Sequence, residues 1–302
     1  VEEGDKHGVH LARAAHDADA CSGEYRLKSA ARLLVLLSAL SLFTAGTAAA
    51  QQTAERYQPT EGQSGKDVVW VPSPDALVER MLDMAQVTPQ DFVIDLGSGD
   101  GRNVIAAAKR GVPALGVEYN EKLVWLAIER AMEAGVADKA RFVQGDMYEA
   151  DISQASVLIL FLLTENLDKL APKFLDLKPG TRIALNYFTV SGWMPDKTEN
   201  IQNCTAWCTA HLYIVPAKVE GDWQMDGGTL SLKQHFQVVR GELKRGGTTV
   251  YLEDGLMSGD RISFTAGKTR YEGRVAGGRM SGERNGPESG QWTASRMQPA
   301  SR

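Results

Sequence analysis

With 302 residues, 43% of them hydrophobic, the chain has enough apolar side chains for a core, and its length points to two domains. Its 33 Lys and Arg against 38 Asp and Glu give a formal net charge of -5, so nucleic acid, which wants a basic face, is not expected among the partners. The three cysteines, at positions 21, 204 and 208, form no CxxC pair or Cys/His cluster with metal spacing, and no metal site is expected.

Residues 1–25 are polar and lack periodicity. In residues 26–50, Arg26, Lys28 and Arg32 precede an apolar run over 33–43, and small residues follow, ending in Ala48-Ala49-Ala50. This is the order of a secretory signal peptide with an A-x-A-type cleavage site. The run is short for a membrane span, which needs roughly 20 residues. The segment therefore reads as a signal peptide or an uncleaved membrane anchor, with residues 1–50 as one N-terminal unit. An exported (periplasmic) or membrane-anchored protein is the expectation, and a cytosolic face stays open. Residues 51–66 are polar with Gly and Pro and read as a linker.

From residue 67 the chain alternates strand and helix signals. Residues 92–96 are a short apolar strand ended by a glycine-rich turn, and 103–110 are an Ala-rich helix stopped by Gly111 and Pro113. A strand over 114–117 precedes a helix over 121–134 with Leu123, Ala127, Ile128 and Ala131 at helical spacing. Strands over 141–144 and 156–162, a helix over 165–175 and a strand over 182–187 complete the run. The alternation predicts an α/β domain over 67–217, a Rossmann-like, mostly parallel sheet with helices on both faces.

After residue 217 the helical signal vanishes. Residues 229–238 alternate apolar and polar side chains, and 250–252, 261–264, 271–275 and 292–295 are further short strands punctuated by glycines. Residues 218–302 thus read as a Gly-rich antiparallel β domain, a small barrel or a sandwich.

Chemistry concentrates at Asp95-Leu-Gly-Ser-Gly-Asp-Gly101, where a strand ends, the backbone turns tightly and a helix begins. Glycine permits positive φ and close approach of a ligand to the backbone. In open α/β sheets the ligand crevice lies at the carboxyl ends of the strands, where this loop falls. A pyrophosphate would favour G-x-G-x-x-G, but the glycines stand at 97, 99 and 101 and position 102 is Arg. Asp95 opposes a pyrophosphate and favours a cationic amino group, which turns the reading from a nicotinamide dinucleotide to S-adenosyl-L-methionine (SAM). Glu118, in Gly116-Val-Glu-Tyr-Asn120, ends the second strand and can accept from ribose hydroxyls. Asp146, before Met147, ends the third and can accept from an adenine amino group.

On these stretches, together with Val71-Pro-Ser-Pro74, Leu123-Val-Trp125, Leu177-Lys-Pro-Gly-Thr-Arg182 and Trp193-Met-Pro-Asp196, the chain resembles the class I SAM-dependent methyltransferases. The likeness is to the family of the ATP synthase c-subunit lysine methyltransferase and its bacterial relatives. The resemblance covers residues 67 to about 221 and not the Gly-rich region. It implies methyl transfer to an amine, with a protein lysine as the acceptor, and a Val71–Pro74 segment that helps cover the cofactor. The expected cofactor residues are Val71, Pro72, Pro74, Asp95, Gly97, Ser98, Gly99, Gly101, Arg102, Glu118, Tyr119, Asn120, Asp146 and Met147. Phe161-Leu-Leu-Thr164 lacks the polar side chain that an N6-adenine or amide methylase carries after its fourth strand. No catalytic residue is singled out. The other readings are a small-molecule methyltransferase and a non-catalytic binding module that keeps the fold.

Among lesser signals, His211 and His235 read as packed or surface residues, and Trp193, Trp207, Trp223 and Trp292 as core or interface residues. Cys204 and Cys208 are either two buried thiols or a disulfide. Four residues apart, they can meet across a tight loop but not along an extended strand.

Overall fold

The computed structural model describes residues 56–202 and 204–298. The N-terminal segment read as a signal peptide or anchor lies outside them. Among the described residues no helix is long and apolar enough to cross a membrane.

The first part is a seven-stranded sheet. Its strands are β1 (Val93–Leu96), β2 (Ala114–Glu118), β3 (Ala140–Gln144), β4 (Val157–Leu160), β5 (Arg182–Asn186), β6 (Lys197–Asn200) and β7 (Thr209–Ile214), in the order β3-β2-β1-β4-β5-β7-β6. Strands β1 to β5 run parallel, whereas β7 is antiparallel to both β5 and β6. Helices α1 (Asp75–Met84), α2 (Arg102–Lys109), α3 (Glu121–Glu133) and α4 (Thr164–Leu175) cover the two faces. Both β1 and β4 are buried along their whole length, which is why they read as continuous apolar runs without alternation. Successive side chains nevertheless divide between the faces. Val93, Val157 and Ile159 join Leu77, Met81, Val104 and Ala107 of α1 and α2 on one side. Ile94, Leu158 and Leu160 join Leu167, Leu170 and Phe174 of α4 on the other.

In this sheet and its helices the sequence-based elements fall within a residue or two of those observed, but α1, β6 and β7 were not anticipated, nor, farther along, were the strands Gly221–Met225 and Arg279–Asn285. Helix α1 follows directly on Val71-Pro-Ser-Pro74 and starts without a side-chain cap, so it carries no N-terminal signature. Strand β6 is polar and mostly exposed, without the alternation by which a strand is recognised.

The Gly-rich region closes into an eight-stranded antiparallel barrel of β8 (Gly221–Met225), β9 (Gly228–His235), β10 (Val238–Arg245), β11 (Thr248–Ser258), β12 (Arg261–Ala266), β13 (Thr269–Ala276), β14 (Arg279–Asn285) and β15 (Gly290–Arg296). Each strand pairs with the next in sequence, and β15 returns to β8. Eight strands leave an interior just wide enough for side chains to fill. Trp223, Phe264, Tyr271 and Trp292 fill it together with Leu230, Ile262 and Met280. The Phe264 and Tyr271 rings stack at 4.8 Å, and the Trp292 indole donates to the Glu272 carbonyl at 3.0 Å.

Two expectations are corrected here. The strand read over 229–238 is two, because the chain turns at Phe236 and Gln237 between β9 and β10. Not every glycine marks a turn either. Gly282 sits inside β14 opposite Gly273, and a Cβ on it would stand 1.9 Å from the Glu272 carbonyl oxygen, a close approach that a side chain forbids.

The barrel meets the first part at the loop between β5 and β6 and at the segment that follows β7. The Ala217 N–H donates to the Gly259 carbonyl at 2.7 Å, Gln237 Nε2 donates to the Met194 carbonyl at 2.6 Å, and the Trp193 and Phe236 rings stack at 5.1 Å.

Candidate functional site

At the carboxyl ends of β1, β2 and β3 the loops enclose a crevice of about 850 Å³, open mouth included. Its floor is the turn after β1. Gly97 N–H and Ser98 N–H both donate to the Val117 carbonyl, at 2.8 and 3.1 Å, so the turn folds back over β2. Gly99 has φ +53, and a Cβ there would lie 2.8 Å from Trp70 Nε1. Its missing side chain makes room for the indole that roofs the crevice, in addition to any room it leaves for a ligand.

The three strand-end acids all line the crevice, and each is differently held. Asp95 is 2% exposed and accepts from Asn103 Nδ2 at 3.0 Å. Burial pushes its carboxyl well above the usual carboxylate range; the Asn103 bond opposes the rise, and the charges of Glu118 and Asp100 add to it. Glu118 accepts from Gly99 N at 2.8 Å on one oxygen and from Asn120 N at 2.8 Å on the other, tying the β1 turn to the start of α3. Each oxygen keeps a further lone pair for a ligand. Asp146 accepts from Tyr148 N at 2.8 Å and from Lys66 Nζ. The Lys66 ammonium and the Tyr148 N–H hold its carboxyl below the usual range.

Of the anticipated residues, Val71, Pro72, Asp95, Gly97, Ser98, Gly99, Arg102, Glu118, Tyr119, Asn120, Asp146 and Met147 border this one crevice. Pro74 and Gly101 do not. Pro74 precedes α1, and its carbonyl accepts from Leu77 N and Val78 N. Gly101 begins α2 at φ +83, where a Cβ would meet Phe142 at 2.7 Å and Ala127 at 2.8 Å, so its role is close packing behind the floor.

Two further side chains at the crevice are committed to the protein. The Arg102 guanidinium binds the buried Asp100 carboxylate at 2.6 and 3.0 Å and the Ser73 carbonyl at 2.7 Å. Asp100 is nearly inaccessible; burial would raise its pKa, but Arg102 and Arg130 outweigh burial and hold it charged. Arg102 thereby fastens the segment before α1. Asn120 Oδ1 caps α3 by accepting from Lys122 N at 3.0 Å.

The structure adds residues 63–70 to the site, of which the sequence reading placed 63–66 in the linker and 67–70 at the start of the α/β domain without a role in the site. They form a strap pinned by Trp70 N to the Gln63 carbonyl at 2.9 Å and by the Ser64–Val69 bridge. Lys66, 5.1 Å from the Tyr119 ring centroid, crosses to Asp146. A single lysine in a polar stretch carries no signal that could have placed it there.

Ser98 Oγ and Asn103 Oδ1 are buried at this crevice with no hydrogen-bond partner among the described residues. Unpaired polar atoms beside a buried carboxylate are what a polar, cationic ligand would satisfy. Among the described residues there is no group of three or more potential metal ligands.

Residues 95–197 match the model of the ANTKMT methyltransferase domain. A protein-lysine N-methyltransferase of Saccharolobus islandicus is 40% identical over 151 residues, 49% of this chain and 94% of that protein. The chain belongs to the class I SAM-dependent methyltransferases, in this family. The lysine N-methyltransferase of the mouse ATP synthase c-subunit is 37% identical over 139 residues, 46% of this chain and 56% of that relative, so the chain spans little more than half of it. Among solved structures, an RNA methyltransferase from Salinibacter ruber in complex with S-adenosyl-L-homocysteine is 42% identical, covers 49% of this chain and 96% of that one, and has a TM-score of 0.47.

As a methyltransferase the protein uses SAM, whose sulfonium carries an electrophilic methyl group. The carboxylates, the orphaned polar atoms and the tight turn suit that molecule's ammonium, ribose and adenine without a metal ligand set. Beyond the crevice, Phe161 after β4, Tyr187 and Phe188 after β5, and Trp207 before β7 bring four rings together. Phe161 and Phe188 lie 6.1 Å apart, Phe161 and Trp207 5.5 Å, and Tyr187 and Trp207 5.0 Å. Trp207 is thus not a core residue, whereas Trp193 packs at the barrel interface and Trp223 and Trp292 lie inside the barrel. His211, half-buried, bonds Thr198 Oγ1 at 2.9 Å and the Tyr187 carbonyl at 3.1 Å, so both ring nitrogens are engaged and it has the packed role expected. Cys204 and Cys208 form a disulfide with Cα atoms 5.7 Å apart, across the loop that joins β6 to β7.

Proposed function

We propose that this protein transfers the methyl group of SAM to the ε-amine of a protein lysine. The observation that carries the reading is the 40% identity spanning 94% of an archaeal protein-lysine N-methyltransferase. Asp95 would face the amino-acid ammonium of SAM, Glu118 the ribose hydroxyls and Asp146 the adenine edge, with residues 63–73 as the roof. The acceptor amine, after losing a proton to solvent, donates its lone pair to the methyl carbon. The N–C bond forms as the C–S bond breaks and the positive charge passes from sulfur to nitrogen, leaving a methylated ammonium and S-adenosylhomocysteine with a neutral sulfur. The protein's part is alignment and exclusion of water, which fits a roofed crevice with no assigned base. Mass spectrometry of host proteins with and without the active chain tests the reading. Lysine peptides one to three methyl groups heavier only in its presence support it, and modification confined to RNA or small molecules sinks it.

We further propose that the catalytic domain works in an oxidising compartment or at its membrane face. The signal-like order of residues 26–50 and the disulfide between Cys204 and Cys208 support this, since disulfides persist there and rarely in the cytosol. The placement requires SAM, a charged cytosolic product, to reach that compartment. Cell fractionation with thiol trapping decides it: a cytosolic chain with residues 26–50 intact and two free thiols contradicts it.

A further inference from the structure

We propose that Lys66 is the latch of a lid: by clasping Asp146, its ammonium holds the strap of residues 63–70 across the crevice and sets how fast the cofactor enters and its product leaves. This rests on the reading of Asp146 as the partner of the adenine edge, and it holds whichever amine is methylated.

The strap is a hairpin built from its own backbone. Gly62 N donates to the Trp70 carbonyl and Trp70 N to the Gln63 carbonyl, both at 2.9 Å, and the Ser64–Val69 bridge continues the pairing. Gly65 N then donates to the Val68 carbonyl at 3.0 Å, which closes a turn over residues 65–68. A Cβ on Gly65 would stand 2.3 Å from that carbonyl oxygen, so the close approach needs glycine. Lys66 and Asp67 stand at the tip.

The two ends of the hairpin are fastened differently. At the base the Trp70 indole packs against Gly99 in the turn after β1, and Gln63 Nε2 donates to the Tyr57 hydroxyl at 2.8 Å. At the tip Lys66 reaches Asp146 after β3 and lies 5.1 Å from the ring centroid of Tyr119, which follows β2. Strands β3, β2 and β1 are neighbours in the sheet, so the hairpin spans roughly 10 Å, two strand spacings. The base is an aromatic contact, which salt does not screen. The tip is an ion pair whose lysine side chain is 37% exposed, the kind that is weak and that salt does screen. Opening therefore begins at the tip, with the base as hinge.

Asp146 can serve the latch and the adenine together. One oxygen accepts from Tyr148 N and the other from Lys66, and each keeps a further lone pair for an amino group. Asp67, 3.7 Å from the Lys66 ammonium, is the other acid paired with it. Every partner in the latch belongs to the protein, so it can close both before the cofactor arrives and after it is seated. A contact shared by the two states slows entry and exit alike and leaves affinity nearly alone.

Stopped-flow tryptophan fluorescence of the full chain mixed with S-adenosylhomocysteine reads both rates, because among the described residues Trp70 is the tryptophan that borders the crevice. The observed rate plotted against concentration gives entry from its slope and exit from its intercept. Lys66→Met, which keeps the apolar stem and removes the charge, is expected to speed both about two- to fivefold, with affinity within about twofold of wild type. Lys66→Arg should return both rates most of the way. In about 1 M NaCl the wild-type rates should approach those of Lys66→Met, whose own rates should hardly move. Unchanged rates in Lys66→Met overturn the latch. Tighter binding with slower exit overturns it too, since Lys66 would then compete with the adenine for Asp146. Asp146→Ala separates the latch from the reading beneath it: weakened binding there keeps Asp146 at the adenine edge even where the latch fails, and undiminished binding removes both.

Discussion

The Gly99 amide donates to Glu118 across 2.8 Å, fastening the turn after β1 to the tip of β2. One carboxylate therefore shapes the floor of the crevice and also presents free lone pairs to it. Glu118→Ala should weaken SAM binding by about 1.5–3 kcal/mol, the loss of a charge-assisted hydrogen bond together with its support of the turn. Glu118→Gln, which can still accept, should lose less. Isothermal titration of both variants checks this; an affinity equal to wild type in Glu118→Ala would remove the residue from the site.

Asp95 predicts a pH dependence whose sign follows from its surroundings. Burial holds its carboxyl above the usual range in the free protein, and a bound ammonium would favour the charged form. Binding then releases a proton, and SAM affinity rises as pH climbs from below toward the free protein's Asp95 pKa, then levels off above it. Titrations in buffers of differing ionisation enthalpy should report proton release, and Asp95→Asn should abolish it. No release in the wild type would mean that Asp95 meets no cation.

At the opposite end of the strands, Asp91 accepts from Thr88 N at 2.8 Å and Ser156 Oγ at 2.7 Å and pairs with Arg182 at 2.8 Å. Burial opposes its charge, but these partners prevail and hold the carboxyl below its usual range. A depressed folded pKa stabilises the fold above the unfolded pKa, and that stability is lost as pH falls through the folded value. Arg182→Ala should cost about 3 kcal/mol by stranding a buried carboxylate, and Asp91→Asn should flatten the acid limb of the stability profile. Chemical denaturation across acidic pH measures both; identical acid limbs would contradict the assignment.

How much of this was legible in sequence differs from element to element. The parallel strands announced themselves because β1 and β4 are buried on both faces, so every residue from Val93 to Leu96 is apolar or part of the site. The strand-end acids were legible because each closes a recognisable strand. The strap was not: Lys66 and Trp70 act through distant partners, Asp146 and Gly99, and no local period encodes such a contact. Gly101 was read with its neighbours as a ligand contact, but it packs against Phe142 and Ala127 behind the crevice; Arg102 does border the crevice, with its guanidinium held by the buried Asp100. In the barrel, strand glycines such as Gly282 look like turn glycines until their cross-strand neighbours are known.

The barrel and the sheet have separate cores joined by few contacts, so we propose a boundary near residues 217–222. Phe264→Ala, which empties a fully buried ring position, should destabilise the barrel by about 3–5 kcal/mol. SAM affinity should hardly change, and limited proteolysis of the variant should leave a stable methyltransferase fragment. Loss of SAM binding in step with loss of the barrel would show instead that the two parts share one folding unit.

Lysine methylation through this crevice is tested most directly by incubating the protein and its Glu118→Ala variant with methyl-labelled SAM and host-membrane extract, then hydrolysing to amino acids. The expected result is label in methylated lysine, abundant with the wild-type chain and sharply reduced with the variant at limiting SAM. Label recovered in nucleotides or small molecules, or equal lysine labelling by both proteins, would contradict the account.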